Sequence, residues 1–376
     1  MKNLLLAFLT LSLFAFNMPY FTIKKGTSPS ILKPNDDVFN KNYIKKTMIK
    51  VVDWQLKNPK HVLTDWTNGA FYTGVMAAYE TTKSPKILDS LMAMGNRNKW
   101  QPHNRFDHAD DIVISQTYID LYRLKKDKKM IQASLDSIQK ISTMKSNEAT
   151  KHGITWWWCD ALFMAPPTLA KLSKDLKTPQ YLALNDSLFK ECYDLLYDKG
   201  EHLFYRDANY LLNAQGEGKR EANGQKVFWS RGNGWVLAGI ARVLKEMPKD
   251  YRKRPFYVQL FKDMAEKIQS LQQADGLWRA SLLDPAAYPG GEGSGSGFYC
   301  YAFAWGINNS ILDKAKYTPS VKKAWTGLNS LVSADGRVGW VQPIGADPRR
   351  NFSADSWEVF GSGAFLLAGS EVIKMK

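Results

Sequence analysis

After residue 40, apolar positions recur at spacings of three and four along almost the whole chain, and strict apolar–polar alternation is weak. The pattern predicts twelve helices, over 40–57, 69–80, 84–99, 110–125, 128–145, 160–174, 178–198, 232–247, 250–272, 297–313, 318–334 and 358–374. Two kinds of helix alternate. One kind is small and apolar nearly all round, as in "GAFYTGVMAAY", "NGWVLAGIARVL" and "FGSGAFLLAGSEV", which predicts a helix surrounded by protein. The other keeps a charged face, as in "PQYLALNDSLFKECYDLLYD", and predicts a solvent side. Several of the second kind begin with Ser or Thr followed by Pro, at Ser84, Thr178 and Thr318. A hydroxyl N-cap before a proline in the first turn is a favoured helix start.

An inner helix, a short turn and an outer helix make a hairpin. Six hairpins closed into a ring give an all-α (α/α)6 barrel, and the competing arrangement is an open helical solenoid. A sixth hairpin without a polar capping repeat favours the closed form. In such a barrel the inner helices run parallel, so the residues before them gather at one mouth. Those lead-ins are "TDWTNG" with Trp66, "FDHADD", "WWWCD" with Trp158, "FWSRGNGW", "GEGSGSG" and "ADSWEVF". Capping accounts for their Asp and Ser, but not for the tryptophans or Arg231.

Within this set, Asp160 follows three tryptophans. Burial against rings raises a carboxyl pKa, and a helix N-terminus lowers it. Asp160 is therefore either an N-cap or an acid that stays protonated. Asp110 and Asp111 are adjacent and cannot share one helix stripe, so one is expected to cap while the other faces the cleft. Trp229, Arg231 and Trp235 combine rings that stack on sugar with a guanidinium that grips a carboxylate; the alternative for Arg231 is an ordinary arginine ahead of a helix. "GSGSG" resembles an anion-cradling turn, yet no P-loop lysine follows it. The histidines have no metal spacing.

Composition narrows the partner. The chain carries a formal charge of +15 and 13 tryptophans. A basic field attracts polyanions, and no helix-turn-helix or zinc-finger module is present, so an anionic oligosaccharide ranks above nucleic acid. A merely solubilising lysine coat is the competing account. Residues 1–17 have a lysine and then an apolar run from Leu4 to Phe16. This reads as a secretory signal, too short for a membrane span, ahead of one catalytic domain over 18–376 and an exported, periplasmic or secreted, location. Three scattered cysteines offer no disulfide framework.

The blocks "HADDIVISQTYIDLY", "WWWCDALFMAPPTLAKL", "FWSRGNGWVLAGIARVL", "YAFAWGINN" and "GWVQPIGADP" together resemble glycoside hydrolase family 105, the unsaturated rhamnogalacturonyl hydrolases, which are related to the unsaturated glucuronyl hydrolases. The resemblance implies an (α/α)6 barrel. It implies removal of a 4,5-unsaturated uronic acid, next to rhamnose, from the non-reducing end of lyase products, by hydration of the ring's vinyl ether. It implies no metal or organic cofactor. Matched by motif, Asp160 is the general acid/base and Asp110 the second aspartate. Asp111, Trp66, Trp158, His152, Trp229, Arg231 and Trp235 are implied to bind substrate. A further family histidine is absent, and "LFYRDANY" offers Arg206 in its place. A polysaccharide lyase or exo-glycosidase on the same barrel, and a non-catalytic carbohydrate-binding protein, are the alternatives.

Overall fold

The computed structural model describes residues 36–144 and 153–375. The expected signal segment, residues 1–17, and His152 lie outside them. The first hairpins are built from α1 (Lys41–Lys57), α2 (Trp66–Thr82), α3 (Pro85–Arg97), α4 (Ala109–Ile112), α5 (Ser115–Lys125) and α6 (Gln132–Thr143). Next come α7 (Ala161–Met164), α8 (Pro166–Asp175) and α9 (Pro179–Leu196), then the short antiparallel pair β1 (Tyr197–Asp198) and β2 (Leu203–Phe204). The chain continues through α10 (Ser230–Glu246), α11 (Arg254–Ser270), α12 (Gly293–Asn308), α13 (Lys314–Ser330) and α14 (Val359–Val372).

The inner wall is α2, α4–α5, α7–α8, α10, α12 and α14, each packed on the next, with α14 returning to α2. That contact closes the ring, so the solenoid alternative falls. Helices α1, α3, α6, α9, α11 and α13 lie outside. The small residues of the inner helices let backbones approach. A Cβ added at Gly74 would stand 2.4 Å from the Gly363 carbonyl oxygen, and one at Gly239 would stand 2.2 Å from that of Leu162. Bulkier residues there would force the staves apart.

Three of the departures from the sequence expectation have a local cause. The helices expected over 110–125 and 160–174 are each broken, between Ile112 and Ser115 and at Ala165. Pro166 lacks an N–H, so the second ladder restarts there. At the third site, Thr318 does not start a helix. Asp313 caps α13, its carboxylate accepting from the Lys316 N–H at 2.6 Å, and Pro319 sits inside the helix. Ser84 and Thr178 do stand at helix starts with Pro behind them, but neither hydroxyl makes a capping bond.

Candidate active site

Asp160 heads α7 with helical dihedrals, and its carboxylate caps nothing. It is 8% exposed. Its Oδ2 accepts from the Cys159 thiol at 3.6 Å, and the Arg206 Nε lies 3.6 Å away. Burial pushes its pKa above the ordinary carboxylate value, against the pull of Arg206 and Arg231. Of the two forces weighed from the sequence, desolvation wins over the helix dipole. The lead-in is held by the chain beyond β2: the Cys159 N–H donates to the Arg206 carbonyl at 2.9 Å, and Trp158 bridges to Asp207.

Asp110 and Asp111 diverge, as adjacent residues on a helix must. Asp110 accepts from the Trp158 indole N–H at 3.3 Å. Burial pushes its carboxyl up to about 7, and the charge of Asp160 adds to the rise. The two carboxyls therefore feel one another and titrate as a pair. His108 stacks on Trp158 at 4.5 Å, with its Nδ1 3.8 Å from Asp110. Burial lowers its pKa to about 4, so the ring is neutral near pH 7. Asp111 is 2% exposed and taken by Arg105, through Nη2 at 2.6 Å, Nε at 3.1 Å and the backbone N–H at 2.8 Å. Its oxygens tie down the loop before α4. Neither aspartate caps the helix.

Arg231 has partners within the protein. It is fully buried in the first turn of α10. Nη1 donates to the Gln342 carbonyl at 2.5 Å and Nη2 to the Pro343 carbonyl at 2.9 Å. Its guanidinium lies between the Trp229 and Phe360 rings, at 4.4 and 4.7 Å. Those donors hold the 340–350 loop. Trp229 and Trp235 are buried too. Trp229 donates to Gln342 Oε1 at 3.4 Å, and Trp235 packs on Phe298 and Phe163 at 4.2 and 4.8 Å. Trp66, half-buried, stacks on Phe360 at 5.3 Å and meets Trp235 edge-on at 6.1 Å.

The structure thus brings Asp160, Asp110, Trp158 and Arg206 together at the mouth, with Trp229, Arg231 and Trp235 beneath. Sequence reasoning gave no role to Glu292, whose carboxylate accepts from the Ser294 N–H at 3.2 Å and the Gly295 N–H at 2.6 Å. The anion cradle suspected in "GSGSG" is therefore filled by the protein's own carboxylate. An acidic residue just ahead of that turn was the legible signal. At the opposite end, where the inner helices finish, a polar cavity of about 330 Å³ is bordered by Lys171, Arg242, Asp120 and Glu246. Its cations answer the negative helix C-termini.

A family model described as Glycosyl Hydrolase Family 88 matches residues 38–376. The chain belongs to this family. It is a glycoside hydrolase, in line with the kinship between family 105 and the unsaturated glucuronyl hydrolases expected from the motifs. A Formosa agariphila protein named unsaturated 3S-rhamnoglycuronyl hydrolase is 46% identical, over the full length of both chains. A family 88 structure from Bacteroides vulgatus superposes with a TM-score of 0.81 at 31% identity, covering 89% of this chain and 100% of that one. Another structure, named as a polysaccharide lyase, gives 0.81 at 34% identity, covering 89% and 97%. These neighbours place the closed ring among the family's helical barrels.

Proposed function

We propose that the protein removes a 4,5-unsaturated uronic acid from the non-reducing end of lyase-generated oligosaccharides in which the next sugar is rhamnose. The name of the Formosa relative supports the rhamnose. The observation that carries the chemistry is Asp160, a buried carboxyl at a helix start that spends no oxygen on capping and whose pKa burial raises above the ordinary carboxylate value.

In this reading the Asp160 proton goes to C4 of the vinyl ether, leaving an oxocarbenium at C5. Water adds at C5 and returns a proton to the Asp160 carboxylate. The resulting hemiketal opens to a C5 ketone, and the hemiacetal exposed at C1 expels the rhamnose-bearing remainder. No bond to C1 is attacked by an enzyme group, so the carboxylate spacings of ordinary glycosidases do not apply. Asp110, pushed up to about 7 by burial and by the charge of Asp160, is electrostatically coupled to the acid. Arg206, 3.6 Å from Asp160, steadies the carboxylate once its proton has left.

The test follows the ultraviolet absorbance of the conjugated uronate in a disaccharide of unsaturated uronate and rhamnose. The signal falls with wild type and persists with Asp160→Asn. An Asp160→Asn variant at wild-type rate would refute the assigned acid. The structural neighbour named as a lyase motivates one second reading. A lyase makes the double bond, so absorbance would rise on intact polymer.

Export is part of the proposal, supported by the lysine and apolar run at residues 1–17. Expression with and without that segment, followed by fractionation, tests it.

A further inference from the structure

We infer that Gln116 and Arg242 are positioning residues for Asp160: the Gln116 amide holds the break between α7 and α8, and so sets where α7 carries its acid. The inference deepens the proposed reading and rests on Asp160 as the acid.

The break needs a brace because of its own sequence. Helix α7 is one turn, Ala161–Met164, and a single turn does not hold its shape without outside contacts. In a continuous helix the Phe163 carbonyl would accept from residue 167 and the Met164 carbonyl from residue 168. Pro167 has no N–H, and the Thr168 N–H goes to the Ala165 carbonyl at 2.9 Å instead. Phe163 and Met164 are buried, away from bulk water. A buried carbonyl left without a donor is costly.

Gln116, fully buried on α5, supplies both missing donors. Its Nε2 donates to the Phe163 carbonyl at 2.8 Å and to the Met164 carbonyl at 2.9 Å. Only one orientation of the amide fits. Its Oε1 accepts from Arg242 Nε at 2.8 Å. A guanidinium only donates, so a flipped amide would set donor against donor and its oxygen against two carbonyls. Arg242, on α10, is 8% exposed and lies 5.7 Å over the Phe163 ring. Helix α10 also presses on the break through Gly239, where a Cβ would stand 2.9 Å from the Phe163 Cα. The Phe163 N–H donates to the Asp160 carbonyl at 3.0 Å, so the residue that Gln116 grips is bonded to the acid's own backbone. A carboxyl that must reach C4 tolerates little drift: a displacement of about 1 Å can cost about a hundredfold in rate. Arg242 borders the cavity at the far end of the barrel, not the mouth, so the pair acts on the rate rather than on substrate contacts.

The test measures kcat and KM on the disaccharide of unsaturated uronate and rhamnose for Gln116→Met, Arg242→Met and Arg242→Lys. Methionine keeps the length of glutamine but donates no hydrogen bond. Gln116→Met should lower kcat by roughly ten- to a hundredfold and change KM by less than about threefold. Arg242→Met frees the amide to turn and should lower kcat by roughly tenfold. Arg242→Lys keeps a donor and should recover most of that loss. Asn329→Leu, which removes a buried amide bond within α13, is the stability control, expected to lower Tm and leave kcat unchanged. A wild-type kcat in Gln116→Met, a kcat loss no deeper than that of the control at equal loss of Tm, or an effect carried by KM alone overturns the inference. Where Gln116→Met does not fold, the two Arg242 variants decide: equal kcat in both overturns it. If Asp160→Asn works at the wild-type rate, the acid assignment fails instead, and hydrogen exchange still decides the brace. The amides of residues 161–165 should then exchange roughly tenfold faster in Gln116→Met than in wild type, and unchanged exchange overturns the brace.

Discussion

Arg231→Lys separates a loop anchor from a substrate clamp. In the structure the guanidinium makes two charge-assisted bonds, to the Gln342 and Pro343 carbonyls, between two aromatic faces. A hydrogen bond from a charged group contributes about 1.5–3 kcal/mol. Each desolvated cation–ring contact adds up to about 2 kcal/mol. Lysine keeps the charge and can reach one carbonyl, but it has no flat fork to lie between the rings. The expected loss is thus one bond and part of the stacking, about 3 kcal/mol of stability. At about 2–4 °C per kcal/mol for chains of up to 250 residues, and less for longer ones, this lowers Tm by about 5 °C. The assay pairs denaturant unfolding with steady-state kinetics. The loop loosens, so KM rises along with the loss of stability. A variant with wild-type Tm and midpoint but a KM raised more than about tenfold would favour the substrate clamp and refute the anchoring role.

Asp110→Asn should stabilise the protein in a pH-dependent way. The folded pKa, about 7, exceeds the unfolded value of 3.8, so the folded state binds more protons between them, and wild-type stability falls as pH rises through that window. The variant's advantage in Tm should be near zero at pH 4 and full above pH 7; an advantage independent of pH would contradict the shift. Gly74→Ala should cost about 1–3 kcal/mol, because the new methyl meets the Gly363 backbone, and unchanged denaturant stability would show that the inner staves can part. Asp111→Ala should lower stability by about 1–3 kcal/mol through loss of the Arg105 bonds, with a smaller effect on kcat than Asp160→Asn; a kcat loss as deep as that of Asp160→Asn would return Asp111 to the chemistry.

The ring of hairpins was legible because burial on all sides and burial on one side leave different periodic patterns, and six alternations of the two leave few ways to close. The mouth was legible for a related reason: parallel inner helices must present their starts together, which put Asp160, Asp110 and Arg231 in one place before any coordinates. What each residue does there depended on partners distant in sequence. Arg231 is spent on carbonyls 111 and 112 residues away, and nothing in "FWSRGNGW" announces them. Asp110 and Asp111 have the same local context, and only the fold of the preceding loop assigns Arg105 to Asp111. The two prolines behave oppositely: Pro166 restarts a helix, while Pro319 is carried inside one because Asp313 supplies a stronger start upstream. Arg206 was visible as a residue but not as the neighbour of Asp160, since the turn after β2 brings it there.

The most direct measurement is the time course of uronate absorbance with purified wild type and Asp160→Asn on the disaccharide of unsaturated uronate and rhamnose, run in oxygen-18 water with mass analysis of the products. The account predicts a falling signal for wild type, a flat one for the variant, and the label on the C5 oxygen of the released uronate. Label on C1 instead, or decay at an equal rate in both proteins, would contradict hydration of the double bond by Asp160.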